Sequence, residues 1–228
     1  MQIGNFKYYF KNSLKINILK YIIRMNYEEL EKTMETGDLV LFQENWWLGN
    51  LISYFTSSNY SHCGVIVKDP DFSPEPLKGL YILESTGWEG IPDAEDHEIK
   101  FGVQLRDFRE VYNNFAGNLY WRKLKCPRNK LFYDRLRSVH SIVHNKPYDD
   151  YPNDWVKAKF HIQRGNLKRT DTFFCSALCT FIYVGLGLLP LTTNWTTVTP
   201  AELGTEVNSD GPKVEFVNCK MDNEVLIK

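Results

Sequence analysis

The chain has 228 residues, 43% hydrophobic, 24% charged and 14% aromatic, which suits one globular domain with an appended segment and excludes a disordered chain or two full domains. Its 27 basic and 28 acidic residues nearly cancel, so no global field favours a polyanion and nucleic acid is not an expected partner. The five cysteines are an odd number and no cleavable signal pattern precedes them, so reduced thiols in a cytoplasmic setting are expected rather than a secreted disulfide framework.

Residues 6–25 place Phe10, Leu14, Ile18 and Ile22 four apart, flanked by Lys7, Lys11 and Lys15, the pattern of an amphipathic basic helix. It is too charged to span a bilayer. It reads either as a helix packed on its own domain with lysines in water, or as a peripheral membrane or partner contact. Residues 1–30 are therefore set apart from a body over residues 31–228.

Gly37-Asp38 interrupts the helical pattern, and Leu39, Val40, Leu41 and Phe42 follow as a short buried strand. Trp46 to Phe55 is an expected short helix. Ser61 to Val67 and Leu80 to Ser85 are expected strands, separated by a proline-rich loop from Asp69 to Gly79. Gly117 to Leu124 is a further aromatic strand. Leu131 to His144 is a helix with an apolar row at Leu131, Leu136, Val139 and Val143, and Pro147 to Asp154 is a turn-rich connector. Cys175 to Leu189 is the most apolar helix, and Val214 to Val217 and Val225 to Ile227 are candidate edge strands.

Three residue types in this layout suit acyl chemistry. A thiol is a nucleophile as thiolate, and a helix N-terminus beside an imidazolium lowers its pKa. Thr170, Asp171 and Thr172 are capping candidates ahead of the last helix, which puts Cys175 in its first turn. Backbone N–H groups there can face an oxyanion. Read alone, Cys175 competes with the reading of a small core residue. Cys179 lies a turn deeper, Cys126 and Cys219 have no base nearby in sequence, and Cys63 should point away from its neighbour His62 because alternate strand residues face opposite ways.

His62 opens a small, apolar strand, where a general base can stand at the mouth of a buried element. Gly64, two residues on, leaves room beside its ring. Glu84 ends the next apolar run, so antiparallel pairing would let its carboxylate fix the His62 tautomer. Glu89 and Asp93 are fallbacks for that role.

At this point five blocks resemble the circularly permuted branch of the NlpC/P60 papain-like superfamily, which includes YiiX-like bacterial proteins and poxvirus proteins. They are Gly37 to Phe42, Ser61-His62-Cys63-Gly64-Val65-Ile66-Val67, Leu83-Glu84-Ser85, Lys146-Pro147-Tyr148-Asp149 and Phe174-Cys175-Ser176-Ala177-Leu178, with Thr199-Pro200 and Leu203 as the ending. The resemblance covers roughly residues 36–204. It implies an α+β fold, a small antiparallel sheet or barrel packed against helices, with the histidine strand preceding the cysteine helix. It further implies a Cys175, His62 and Glu84 triad acting on an amide, ester or thioester of a peptide- or lipid-linked acyl substrate, with no cofactor. Ala177 departs from the acidic residue frequent in relatives, and the N-terminal helix lies outside the resemblance. Tyr60, Tyr148 and Ser176 are the oxyanion or substrate candidates.

Other readings stay open. His140 and His144, four apart on a helix, have the spacing of a zinc pair, but Ser141 stands where a zinc protease carries glutamate and no third ligand is evident, so they read as a solvated helix face. A catalytically silent papain-like module that binds a lipid or peptide keeps the fold and changes the job. An acyltransferase resembling lecithin:retinol acyltransferase keeps the triad and changes the acceptor.

Overall fold

A computed structural model of the protein describes residues 25–44, 60–87, 90–149, 168–205 and 214–228. The expected helices over 6–25 and Trp46 to Phe55, the fallback Glu89 and the connector beyond Asp149 lie outside the described residues.

The first element is α1 (Tyr27–Thr33), closed by a capping box in which Asn26 accepts from the Glu29 N–H and Glu29 reaches back to the Asn26 N–H. It crosses the residue-30 boundary and buries Tyr27 and Leu30. Strands β1 (Leu39–Glu44), β2 (His62–Lys68), β3 (Leu80–Thr86) and β4 (Gly102–Asp107) follow, then α2 (Phe108–Asn114), β5 (Gly117–Arg122), β6 (Leu124–Lys125) and α3 (Lys130–Val143). The chain continues through α4 (Cys175–Gly185), a 3-10 turn at Trp195–Thr197, β7 (Lys220–Met221) and β8 (Val225–Leu226).

Six strands form one antiparallel sheet in the order β4-β3-β2-β1-β5-β8, and β6 pairs with β7 apart from it. Strand residues alternate between faces, and the sheet separates two apolar clusters. Leu41, Cys63, Val65 and Leu83 pack with α3 and α4, whereas Phe42, Ile66 and Ile82 pack with α1 and α2. The architecture is α+β, an antiparallel sheet with helices packed against it.

Asp38 ties the start of β1 to its surroundings. Buried, it accepts from the Leu124 N–H at 2.9 Å, the Trp121 indole at 2.8 Å and an Arg128 guanidinium N–H at 3.2 Å. Gly37 before it has φ +95, and a Cβ there would stand 2.8 Å from Leu124 Cδ2, so the turn requires glycine.

Several expectations change. Strand β4 and helix α2 were not anticipated, because β4 alternates Gln104 and Arg106 with Val103 and Leu105 and buries all four. Leu131 is 54% exposed and Phe132 takes its place in the core, a phase error of one residue. The expected Gly117 to Leu124 strand divides into β5 and β6. Val214 to Val217 forms no strand; its Val214 and Val217 N–H groups bond to the Glu202 and Leu188 carbonyls. Helix α4 ends at Gly185, and its N-cap is Phe174 in extended conformation without a side-chain cap bond, so Thr170, Asp171 and Thr172 do not cap it.

Candidate active site

Cys175 begins α4 and is buried at 5% exposure. Ser85 fixes the approach to this helix by donating its hydroxyl to the Phe173 carbonyl at 2.6 Å. From the other side, Phe173 forms a parallel bridge with Tyr148, and Pro147 bridges Gly102 at the start of β4. The turn before the nucleophile candidate is thus stitched to β3 and to the 147–149 segment by backbone and side-chain bonds.

His62 and Cys63 leave β2 on opposite faces, as strand geometry requires. Both nevertheless lie close enough to Cys175 to shift its thiol, because α4 begins against the first residues of that strand. The sequence reading treated Cys63 as a competitor, and the structure makes it a neighbour of Cys175.

Antiparallel pairing of β2 with β3 aligns Val65 with Leu83, which places Glu84 on the His62 face. His62 Nε2 meets Glu84 Oε2 in a short hydrogen bond. Phe42 packs edge-on against the imidazole with centroids 4.8 Å apart. Gly64 is required beneath them, since a Cβ would stand 2.6 Å from Ile82 Cδ1 and 3.1 Å from Glu84 Cβ; the room it leaves is filled by these side chains.

The other Glu84 oxygen is held by Arg106, whose Nε donates to Oε1 at 2.7 Å and whose terminal nitrogen lies 2.5 Å away. Both side chains are buried, at 0% and 2% exposure. Sequence reasoning passed over Arg106, although its position on the face of Ile82 and Glu84 is fixed once β4 is placed beside β3.

The charges follow from these contacts. Burial pushes the Glu84 carboxyl up, but the Arg106 guanidinium and the bond to His62 hold it below the usual range, so it stays ionised. Burial pulls His62 down; hydrogen bonds to Cys175 and Glu84 overcome it and raise the imidazole to about 10. At Cys175 the hydrogen bond from Cys63 comes first, burial opposes, and the bond and charge of His62 add to the lowering, so the thiol sits well below its ordinary range. Burial raises Cys63 well above its own, which keeps it a protonated donor. Both shifts run in the direction that favours a thiolate-imidazolium pair.

The remaining candidates separate. Tyr148 is partly buried and neighbours Cys175; burial and then the charges of Cys175 and Cys63 hold its phenol neutral. Ser176 is fully buried and its hydroxyl donates to the Val198 carbonyl at 2.7 Å, so only its backbone N–H is left for an oxyanion. Tyr60 packs against Tyr120 with centroids 5.4 Å apart. Asp93 accepts from the Leu105 N–H and pairs with Lys100, away from His62.

No protein-family model matches the chain. Among curated proteins it is similar to uncharacterized protein R372 of Acanthamoeba polyphaga mimivirus, 26% identical over 140 residues that cover 54% of this chain and 53% of that protein. The chain thus matches about half the length of that relative. Among solved structures it is similar to the metalloprotein yiiX from Escherichia coli O157:H7, at 16% identity and a TM-score of 0.46, covering 82% of this chain and 95% of that one. Among the described residues no helix is long and apolar enough to cross a membrane.

Proposed function

We propose that this protein is a cysteine hydrolase of the circularly permuted papain-like type, with Cys175 as nucleophile, His62 as general base and acid, and Glu84 as the group that orients the imidazole. The observation that carries this reading is the buried chain from His62 through Glu84 to Arg106, set beside a Cys175 thiol that His62 shifts downward. Such a chain favours a thiolate, holds one imidazole tautomer, and anchors the orienting carboxylate by a buried guanidinium.

The Cys175 thiolate attacks an amide, ester or thioester carbonyl carbon, a sulfur-carbon bond forms, and the carbonyl π electrons move to oxygen. Helix α4 has no side-chain cap, so first-turn N–H groups can receive that oxyanion, with Tyr148 beside Cys175 as a second candidate donor. His62 gives its proton to the departing amine, alcohol or thiol as the bond to carbon breaks. It then takes a proton from water, which attacks the thioester and releases the acid, restoring the thiolate and the imidazolium.

Iodoacetamide labelling of each cysteine against pH, read by peptide mass spectrometry in wild type and His62→Ala, tests the pair. Selective labelling of Cys175 at neutral pH, lost in the variant, is the expected result and opens a screen of peptide amides against lipid esters. Slow, unselective labelling would sink the proposal and leave a silent binding module. Transfer of the acyl group to an added amine or alcohol in preference to water would instead make it an acyltransferase.

A further inference from the structure

A second imidazole cluster lies at the far end of α3. His140 and its C-cap residue His144 stand one turn apart on the same helix face. The loop between β3 and β4 brings Glu95 to them, with Oε2 2.9 Å from His140 Nε2 and 3.2 Å from His144 Nδ1. His140 is therefore buried rather than solvated, and the third ligand missing from the sequence pattern is present in space.

We propose that Glu95, His140 and His144 form a binding site for a zinc-class divalent ion that pins the β3–β4 loop to the end of α3. The three ligand atoms lie within 4.8 Å of one another. A tetrahedral zinc ion with bonds of roughly 2.0–2.2 Å holds its ligands about 3.4 Å apart, so small side-chain adjustments convert the observed cluster into a three-ligand shell. Two imidazoles and one carboxylate suit zinc and its borderline neighbours and not calcium or magnesium, which take oxygen.

The surroundings agree with this assignment. The Glu95 carboxylate is 4% exposed and faces both imidazoles through the same oxygen. Phe72 stacks on His140 with centroids 3.9 Å apart and shields that side. The His144 side chain is 36% exposed while Glu95 is at 4%, so the cluster opens beside His144, where water can complete the shell. The nearby Lys100 ammonium is held at 3.0 Å from Asp93 and 2.6 Å from Asp96, and does not occupy the Glu95 carboxylate. Ser141 offers no general base at the position a zinc protease uses, so the ion is assigned a clamping role. The clamp sits just before the segment that carries Tyr148 alongside Cys175, and the site stands whether or not Cys175 is a nucleophile.

The protein, freed of metal by chelator, would be titrated with Zn²⁺ by calorimetry and with Co²⁺ by optical spectroscopy, as wild type, His144→Gln and Cys175→Ala. One equivalent is expected to bind. Cobalt should show intense visible bands without the near-ultraviolet sulfur-to-cobalt charge-transfer band, in wild type and Cys175→Ala alike. Affinity in His144→Gln should fall by more than the roughly 10- to 100-fold that loss of even an outer partner costs. No stoichiometric binding, a thiolate charge-transfer band, or unchanged affinity in His144→Gln would each overturn the site. Glu95→Gln, of nearly the same shape, serves the same comparison should His144→Gln not fold.

Discussion

Among the described residues, the imidazole-carboxylate pairs of His62 with Glu84 and His140 with Glu95 differ in their third member. His62 and Glu84 face each other inside the sheet, with a thiol on one side and a guanidinium on the other. His140 and Glu95 face each other at a helix end, with a second imidazole that is partly in water. The same pair of side chains therefore serves opposite ends. In the proposed reading, a sulfur beside the ring makes it a proton carrier, whereas a second nitrogen donor beside the carboxylate makes a cation site. Arg106 sharpens the contrast, because its fixed charge keeps Glu84 ionised and occupied, so that oxygen is not free for a metal.

The change that should separate the two pairs most completely is Cys175→Ala. Turnover of any acyl substrate is expected to vanish while the fold persists, since the side chain is small and the change removes one sulfur; residual hydrolysis at the wild-type rate would break the proposed function. Next is Arg106→Gln. Removing one partner of a buried ion pair costs about 3–5 kcal/mol, which for a chain of this size lowers the thermal midpoint by roughly 6–20 °C. Combining it with Glu84→Gln should cost less than the two changes added, because the stranded charge is then gone. A fall of only a degree or two in the single variant would mean that Arg106 is not the anchor of Glu84.

Arg106 also explains which parts of this arrangement could be read in advance. Cys175, His62 and Glu84 stand at the ends of strongly apolar segments, so their polarity marks them. Strand β4 hides itself, because the residue that anchors Glu84 is a charge at a buried position and breaks the apolar run that marks the other strands. Functional positions are where local pattern rules are expected to break. Cys63 was set aside on a correct rule, that neighbours on a strand diverge, which does not foresee a helix starting where both can be reached. Glu95 was invisible for another reason: it sits 45 residues from His140 in a loop with no periodicity, and only the folding of β3 and β4 brings it to α3. The one-residue phase error at Leu131 is of a lesser kind, since helix periodicity identifies a face more securely than its edge.

Cys63→Ala tests how the thiolate is made. A hydrogen bond to a charged group contributes about 1.5–3 kcal/mol, so its loss should raise the Cys175 pKa by roughly one to two units. The acid limb of kcat/KM should move up accordingly. The basic limb, set by His62 losing its proton as pH rises through about 10, should stay where it is. If both limbs moved together, Cys63 would be acting through His62 rather than on the sulfur. Gly64→Ala is smaller again: a Cβ 2.6 Å from Ile82 is an overpacking change of about 1–3 kcal/mol. It should lower kcat along with stability, because the same Cβ crowds Glu84.

The smallest effect is expected at the other pair, in His144→Gln measured without metal. Its side chain is 36% exposed, and an ion pair with so much water around it is worth about 1 kcal/mol at most. The thermal midpoint of metal-free protein should therefore fall by no more than about 2–4 °C, with the Cys175 labelling profile as a parallel readout of the distant site. Added Zn²⁺ should then raise the midpoint of wild type and leave that of the variant in place, since only a ligand that binds the folded state stabilises it. A metal-free loss as large as that of Arg106→Gln would erase the distinction between the two clusters. It would make the Glu95 contacts a core ion pair like that of Glu84, held by protein alone.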